Sequence, residues 1–126
     1  MYEEIKELDT SDFFKPNENV FIHIDNGDTE YQGIMHRHNF IEIVYVISGT
    51  ARHYIGDINY EVHKGNLVIV NYGVPHTFIP TDDSDENFST YDLLFTTELF
   101  DVTGIGSCDF SSLASSYLFY SLFSEN

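Results

Sequence analysis

Basic charge is scarce in these 126 residues: Lys6, Lys15, Arg37, Arg52 and Lys64 stand against 21 acidic residues, for a formal charge of −16 at pH 7. A field of that sign repels phosphate backbones, which excludes duplex DNA as a partner of this chain by itself. Cysteine is nearly absent. Cys108 is the only one, so there is no internal disulfide; a reducing compartment fits, and with no signature around it the thiol reads as a bystander. No stretch reaches the ~18 consecutive apolar residues of a membrane span. Met1 to Lys6 offers neither a basic nor an apolar leader region, and the expectation is a cytoplasmic protein with no membrane partner. Ser-His-Asp, P-loop and paired-carboxylate signatures are also missing. The run Asp82-Asp83-Ser84-Asp85-Glu86 lacks the spacing of calcium ligands and reads as a solvated loop.

What is present is a series of short β-branched and aromatic runs separated by turn signals. They cover 19–24, 38–47, 51–55, 58–62, 67–71, 76–79 and 90–95, with Gly27, Gly49, Gly56, Gly65 and Gly73 between them. Spacing of about 8 to 12 residues with Gly-marked turns predicts an all-β barrel or sandwich rather than βαβ units. After it, Asp109, Ser111 and Ser112 are possible N-caps for a helix over 111–126. The apolar residues of that segment, Leu113, Tyr117, Leu118, Phe119, Tyr120, Leu122 and Phe123, surround its axis instead of forming one stripe. The expected organisation is an N-terminal arm (1–18), a barrel (19–100), and a loop leading into the start of a C-terminal helical segment (101–126) that continues in the natural protein.

The chemistry gathers in His36-Arg37-His38-Asn39-Phe40-Ile41-Glu42. In an extended strand alternate side chains share a face, so His36, His38 and Glu42 project together, two imidazoles and a carboxylate aimed one way. The residues after them, Phe40 to Ile47, are too short and too branched for a helix, and a helical HExxH site is thereby excluded. Two His and one carboxylate suit a divalent metal with open positions, and His76 on another strand can supply a fourth donor. Phe40, Val44, Val46 and Phe78 share parity with these donors and can wall a mainly apolar small-molecule pocket, with Arg52, Tyr54 and Tyr72 as additions. His23, His53 and His63 have no comparable spacing partners and read as surface or core residues. On the other face of strand 40–47, Ile41, Ile43, Tyr45 and Ile47 form a row that needs cover.

HRHNFIEIVYVISG resembles the first cupin motif, HxHxxxE followed by six residues and Gly, and GNLVIVNYGVPH resembles the second. By that match His36, His38, Glu42 and His76 fall on the family's metal positions. EIVYVISG, GNLVIVNYGVPHTF and YDLLFTTELF are most similar to the cupin sensor domain of AraC-type transcription regulators, over roughly residues 20 to 100. Asn71, Pro80 and Gly33 depart from the pattern, which bears on an enzymatic reading more than on the fold. The resemblance implies a cupin double-stranded β-helix, a jelly-roll barrel, that senses a small-molecule effector such as a sugar or other metabolite. It further implies homodimerisation and a separate DNA-binding domain. Its cofactor is a divalent metal (Fe, Mn, Ni or Zn) if these imidazoles coordinate, and none if they hydrogen-bond the effector instead. The alternative is a small metal-dependent cupin enzyme, a dioxygenase or isomerase in which the same four residues hold the metal. Fold alone does not decide between them.

Overall fold

The computed structural model describes residues 4–27 and 33–98. Cys108 and the helix expected over 111–126 lie outside the described residues. Nine strands occur among them: β1 (Lys6–Leu8), β2 (Val20–Asp25), β3 (His36–His38), β4 (Ile41–Ser48), β5 (Thr50–Ile55), β6 (Ile58–His63), β7 (Leu67–Val70), β8 (His76–Pro80) and β9 (Ser89–Phe95). They form the two-sheet jelly roll expected from the sequence, a five-stranded sheet in the order β1-β3-β8-β5-β6 and a four-stranded sheet in the order β2-β9-β4-β7.

Alternating burial builds the interior. Val44 and Val46 of β4, Ala51 of β5, Val62 of β6 and Val68 and Val70 of β7 pack with Phe88 in one apolar cluster. Phe14, Phe40 and Leu94 form a second, with Phe13 and Phe21 against it. Gly49 carries the chain from β4 into β5, and so from one sheet to the other, with φ at +76° and its backbone pressed on that of Phe88. Only a residue free of Cβ fits there, because an added Cβ would lie 2.6 Å from the Phe88 Cα.

The structure corrects one expectation. The run 38–47 is not one strand: Asn39 and Phe40 break it, so that His36 and His38 lie in the five-stranded sheet and Glu42 in the four-stranded one. Asn39 anchors the break. Its Oδ1 accepts from the Thr10 N–H (2.9 Å), its Nδ2 donates to Asp9 Oδ1 (2.7 Å), and the Gly73 N–H donates to the His38 carbonyl (2.7 Å). The same-face relation of the three residues is therefore produced by a change of sheet rather than by one strand's parity. Within residues 1–18, β1 pairs in parallel with β3 (Lys6 opposite His36, Leu8 opposite His38) and Phe14 is buried. Short β1 carries too few alternating residues to register as a strand in the sequence.

The outer face of the four-stranded sheet is apolar in two cross-strand rows. Ile22, Leu93, Ile43 and Ile69 are successive partners in one, Ile24, Tyr91, Tyr45 and Leu67 in the other. Ile22 is 63% and Tyr91 47% exposed. Among the described residues no helix is long and apolar enough to cross a membrane.

Candidate metal centre and cavity

Between the two apolar clusters the interior turns polar. His38 at the end of β3, Glu42 on β4 and His76 at the start of β8 bring their donor atoms together. His38 Nε2 lies 3.3 Å from Glu42 Oε1 and 3.3 Å from His76 Nε2, and His76 Nε2 lies 3.5 Å from the same carboxylate oxygen. Donors at bond lengths of about 2.0–2.1 Å around a tetrahedral ion are spaced about 3.3–3.4 Å apart. The triangle has the dimensions of one such face, with two imidazole nitrogens and one carboxylate oxygen, a donor set suited to Zn, Fe, Ni or Mn.

Each imidazole is held from behind. His38 Nδ1 is 2.7 Å from the Phe40 carbonyl, which only accepts, so Nδ1 carries a proton; Nε2, turned to Glu42, presents a lone pair in the neutral ring and donates to the carboxylate in the charged one. The ring also stacks flat on Phe40 (centroids 4.3 Å, 7°). His76 Nδ1 faces His53 Nε2 at 3.0 Å. His36 hydrogen-bonds the Ile34 carbonyl through Nδ1 (2.7 Å), and its ring centroid lies 4.5 Å from that of His76, its partner across β3 and β8. Its ring nitrogens do not join the other three donors. Three of the four residues expected to bind metal thus converge, and His36 stands beside them.

Protonation favours ligation. Burial pushes His76 well below the ordinary histidine range, and the neighbouring His53, His36 and His38 push the same way. Burial likewise lowers His36 and takes His53 down to about 3. For Glu42, burial alone would raise the pKa; the hydrogen bond and charge of His38, with His36 and Asp92 assisting, outweigh it and hold the carboxyl below its usual range. Asp92 on β9 takes the opposite role. Burial first, and then the adjacent Glu42, raise it to about 9. The pair thus holds one proton, on Asp92, and the negative charge sits on Glu42, where a cation would meet it. Thr90 Oγ1 donates to Asp92 Oδ1 (2.7 Å), and His23 Nε2 lies 3.5 Å from Asp92 Oδ2.

Beside the triangle is a cavity of about 30 Å³, lined by His36, Glu42, Asp25, Asp92, Thr77, Thr90, Phe78 and Phe88. That volume holds one or two waters. Thr77 lines it with a buried Oγ1 that has no hydrogen-bond partner among the described residues. Of the other residues expected to wall a pocket, only Phe78 lines this cavity. Phe40 supports His38, and Val44 belongs to the apolar cluster. Arg52 and Tyr54 fall on the side of β5 opposite buried Ala51 and His53, Arg52 donating to Asn59 Oδ1 (2.7 Å). Tyr72 is 44% exposed and borders a surface depression with His38, Asn39 and Leu8. Sequence reasoning read His53 as a surface or core residue and passed over Asp92 and Thr77; parity with His76 and Phe78 places Thr77 on the opposite face, yet it is buried and lines the cavity.

The model of the AraC-like ligand binding domain matches residues 15–110 of the chain. No curated protein matches it. Among solved structures, a conserved protein of unknown function from Streptococcus pyogenes superposes with a TM-score of 0.50 at 18% identity, covering 71% of this chain and 80% of that one. A protein of Ralstonia eutropha JMP134 provisionally assigned as a mannose-6-phosphate isomerase gives 0.50 at 21%, covering 62% and 75%. Bacillus subtilis oxalate decarboxylase, with its Mn(II) centres, gives 0.46 at 18%, covering 75% and 31%. At these identities the likeness is one of fold, the cupin double-stranded β-helix.

Proposed function

The chain belongs to the AraC-like ligand binding domain family, and from that premise we propose that it is the small-molecule-sensing, dimerising domain of a cytoplasmic AraC-type transcription regulator. DNA recognition then falls to a separate domain, because a chain of charge −16 cannot displace counterions from a phosphate backbone. The supporting observation is the buried donor triangle of His38, Glu42 and His76, whose Glu42 lines a cavity together with Thr77, a buried hydroxyl with no hydrogen-bond partner among the described residues. Buried polar atoms are nearly always satisfied, so a ligand or water group belongs beside Thr77.

A divalent metal, when bound, would supply Lewis acidity and a fixed anchor for an effector's oxygen or nitrogen. His38, Glu42 and His76 would hold it; Asp92 would keep its proton away from Glu42's metal-facing oxygen, and Phe78 and Phe88 would exclude bulk water. The cavity's small volume restricts what can bind without movement of its walls to a group of a few heavy atoms, well under the ~300 Å³ of ordinary ligand pockets. The apolar outer face of the four-stranded sheet supports self-association.

The intact donor set favours one second reading, the small metal-dependent enzyme. A single experiment separates the two. The metal-loaded protein is screened against small metabolites by thermal shift, and each stabilising compound is recovered and weighed by mass spectrometry. A sensor returns its ligand unchanged; conversion of the compound establishes the enzyme and refutes the sensor.

A further inference from the structure

Behind the triangle, the protein continues a hydrogen-bonded line into the five-stranded sheet. His76 Nδ1 lies 3.0 Å from His53 Nε2, and His53 Nδ1 lies 2.8 Å from Tyr60 Oη. His53 and Tyr60 are direct partners across the β5–β6 hairpin, so the line is set by strand register. His53 is fully buried and clamped, stacked on Phe78 (centroids 4.1 Å, 11°) and edge-on to both Tyr60 and His76. A ring held in this way cannot readily turn over to change which nitrogen faces which neighbour.

We propose that His53 and Tyr60 are positioning residues forming a proton relay that sets which nitrogen of His76 carries hydrogen, and that filling the centre reverses the relay's direction. This rests on the reading of His38, Glu42 and His76 as a metal centre. Each neutral imidazole carries one proton, so the line has two self-consistent states. When His38 is neutral, its Nε2 and Glu42 Oε1 are both acceptors, and in the metal-free protein a proton on His76 Nε2 serves both. His76 Nδ1 must then accept from His53 Nε2–H, and His53 Nδ1 from the Tyr60 hydroxyl. A metal ion needs the lone pair of His76 Nε2. In that state His76 Nδ1–H donates to His53 Nε2, and His53 Nδ1–H donates to Tyr60 Oη, whose own hydrogen turns to another acceptor. The balance is even: one proton leaves His76 Nε2 for solvent, the His53 Nε2 proton passes to His76 Nδ1, the Tyr60 proton passes to His53 Nδ1, and Tyr60 takes one from solvent. Outer hydrogen bonds of this kind fix a ligand's tautomer and raise its basicity.

The relay is tested by long-range ¹⁵N–¹H NMR of the histidine rings at neutral pH, with and without one equivalent of Zn²⁺. His53 is expected as the Nε2–H tautomer without zinc and the Nδ1–H tautomer with it, while His38 stays Nδ1–H before coordination and after. Zn²⁺ affinity is expected to fall about 10–100-fold in His53→Phe, and to recover most of that loss in His53→Gln, whose amide can both accept and donate. Tyr60→Phe deletes one oxygen, is the safer variant for folding, and is expected to weaken zinc by about tenfold. Zinc bound with His53 unchanged in tautomer, or bound equally well by Tyr60→Phe and His53→Phe, overturns the relay and leaves the centre standing. No zinc binding by the wild-type protein, with His38 and His76 resonances unmoved, overturns the centre and the relay together.

Discussion

Replacing Asp92 by Asn should stabilise the metal-free domain, and by an amount that grows with pH. Asp92 is 4% exposed and its folded-state pKa is about 9, against 3.8 for the unfolded side chain. A raised carboxyl pKa means the folded state keeps a proton that the unfolded chain has released, so its contribution is intact below 3.8 and is lost as pH rises toward 9. At pH 7 the gap from 3.8 is about 3.2 units, and at 1.36 kcal/mol per unit the ceiling is about 4 kcal/mol. Sharing of the proton with Glu42 reduces this, and about 2–3 kcal/mol is expected. Asn keeps the geometry: its oxygen accepts from Thr90 Oγ1 and its NH2 can donate to Glu42 without any proton uptake. Urea unfolding followed by circular dichroism, with EDTA present, at pH 5, 6, 7 and 8 measures the difference. The variant's advantage should be small at pH 5 and increase by roughly 1 kcal/mol per unit. Contributions from His36, His53 and His76 are common to both proteins and cancel. An advantage that is the same at every pH, or a variant less stable throughout, would show that Asp92 is ionised in the fold and that the assignment of the shared proton is wrong.

Other outcomes follow from the same geometry. Gly49→Ala should cost about 3 kcal/mol or more, measured by chemical denaturation, because its Cβ would overlap the Phe88 backbone at a left-handed φ; a loss below 1 kcal/mol would mean the crossover relaxes freely. At tens of micromolar the protein should sediment as a dimer, and Ile22→Ser with Tyr91→Ser should yield a folded monomer; a monomeric wild type removes the case for pairing through that face. Duplex DNA should show no gel shift with this chain at physiological salt, and a salt-dependent shift would contradict the assignment of DNA recognition to another domain.

The strands after residue 19 are legible in the sequence because each is a β-branched or aromatic run, most of them closed by Gly, and apart from the run 38–47 their observed limits differ from the expected ones by a single residue. His38, Glu42 and His76 were legible because their residue types and spacing coincide with known ligand positions. The change of sheet at Asn39 was not. It depends on hydrogen bonds from Asp9 and Thr10, about thirty residues upstream, which no local window contains. His53 was hidden for a related reason: its partners are Tyr60 across a hairpin and His76 across a sheet, so its role exists only once strands pair. Arg52 and Tyr54 were placed inward because composition fixes a strand's period and not its phase. Buried Ala51 supplies the phase, and only the packed interior reveals it.

Strand β4 carries two surfaces on alternate residues. Glu42, Val44 and Val46 face the interior, while Ile43 and Tyr45 belong to the outer apolar rows; on β9, Asp92 and Leu94 alternate in the same way with Tyr91 and Leu93. This interleaving makes the central pair of strands intolerant of length change. One inserted residue between Phe40 and Glu42 would exchange the two sets, turning a carboxylate out to solvent and an isoleucine into the donor triangle. The shift would propagate through the pairing with both β7 and β9. Substitution can tune either surface alone, but a single-residue insertion or deletion removes both at once, so length variants of this domain should accumulate in the loops between sheets and spare 41–46 and 90–95.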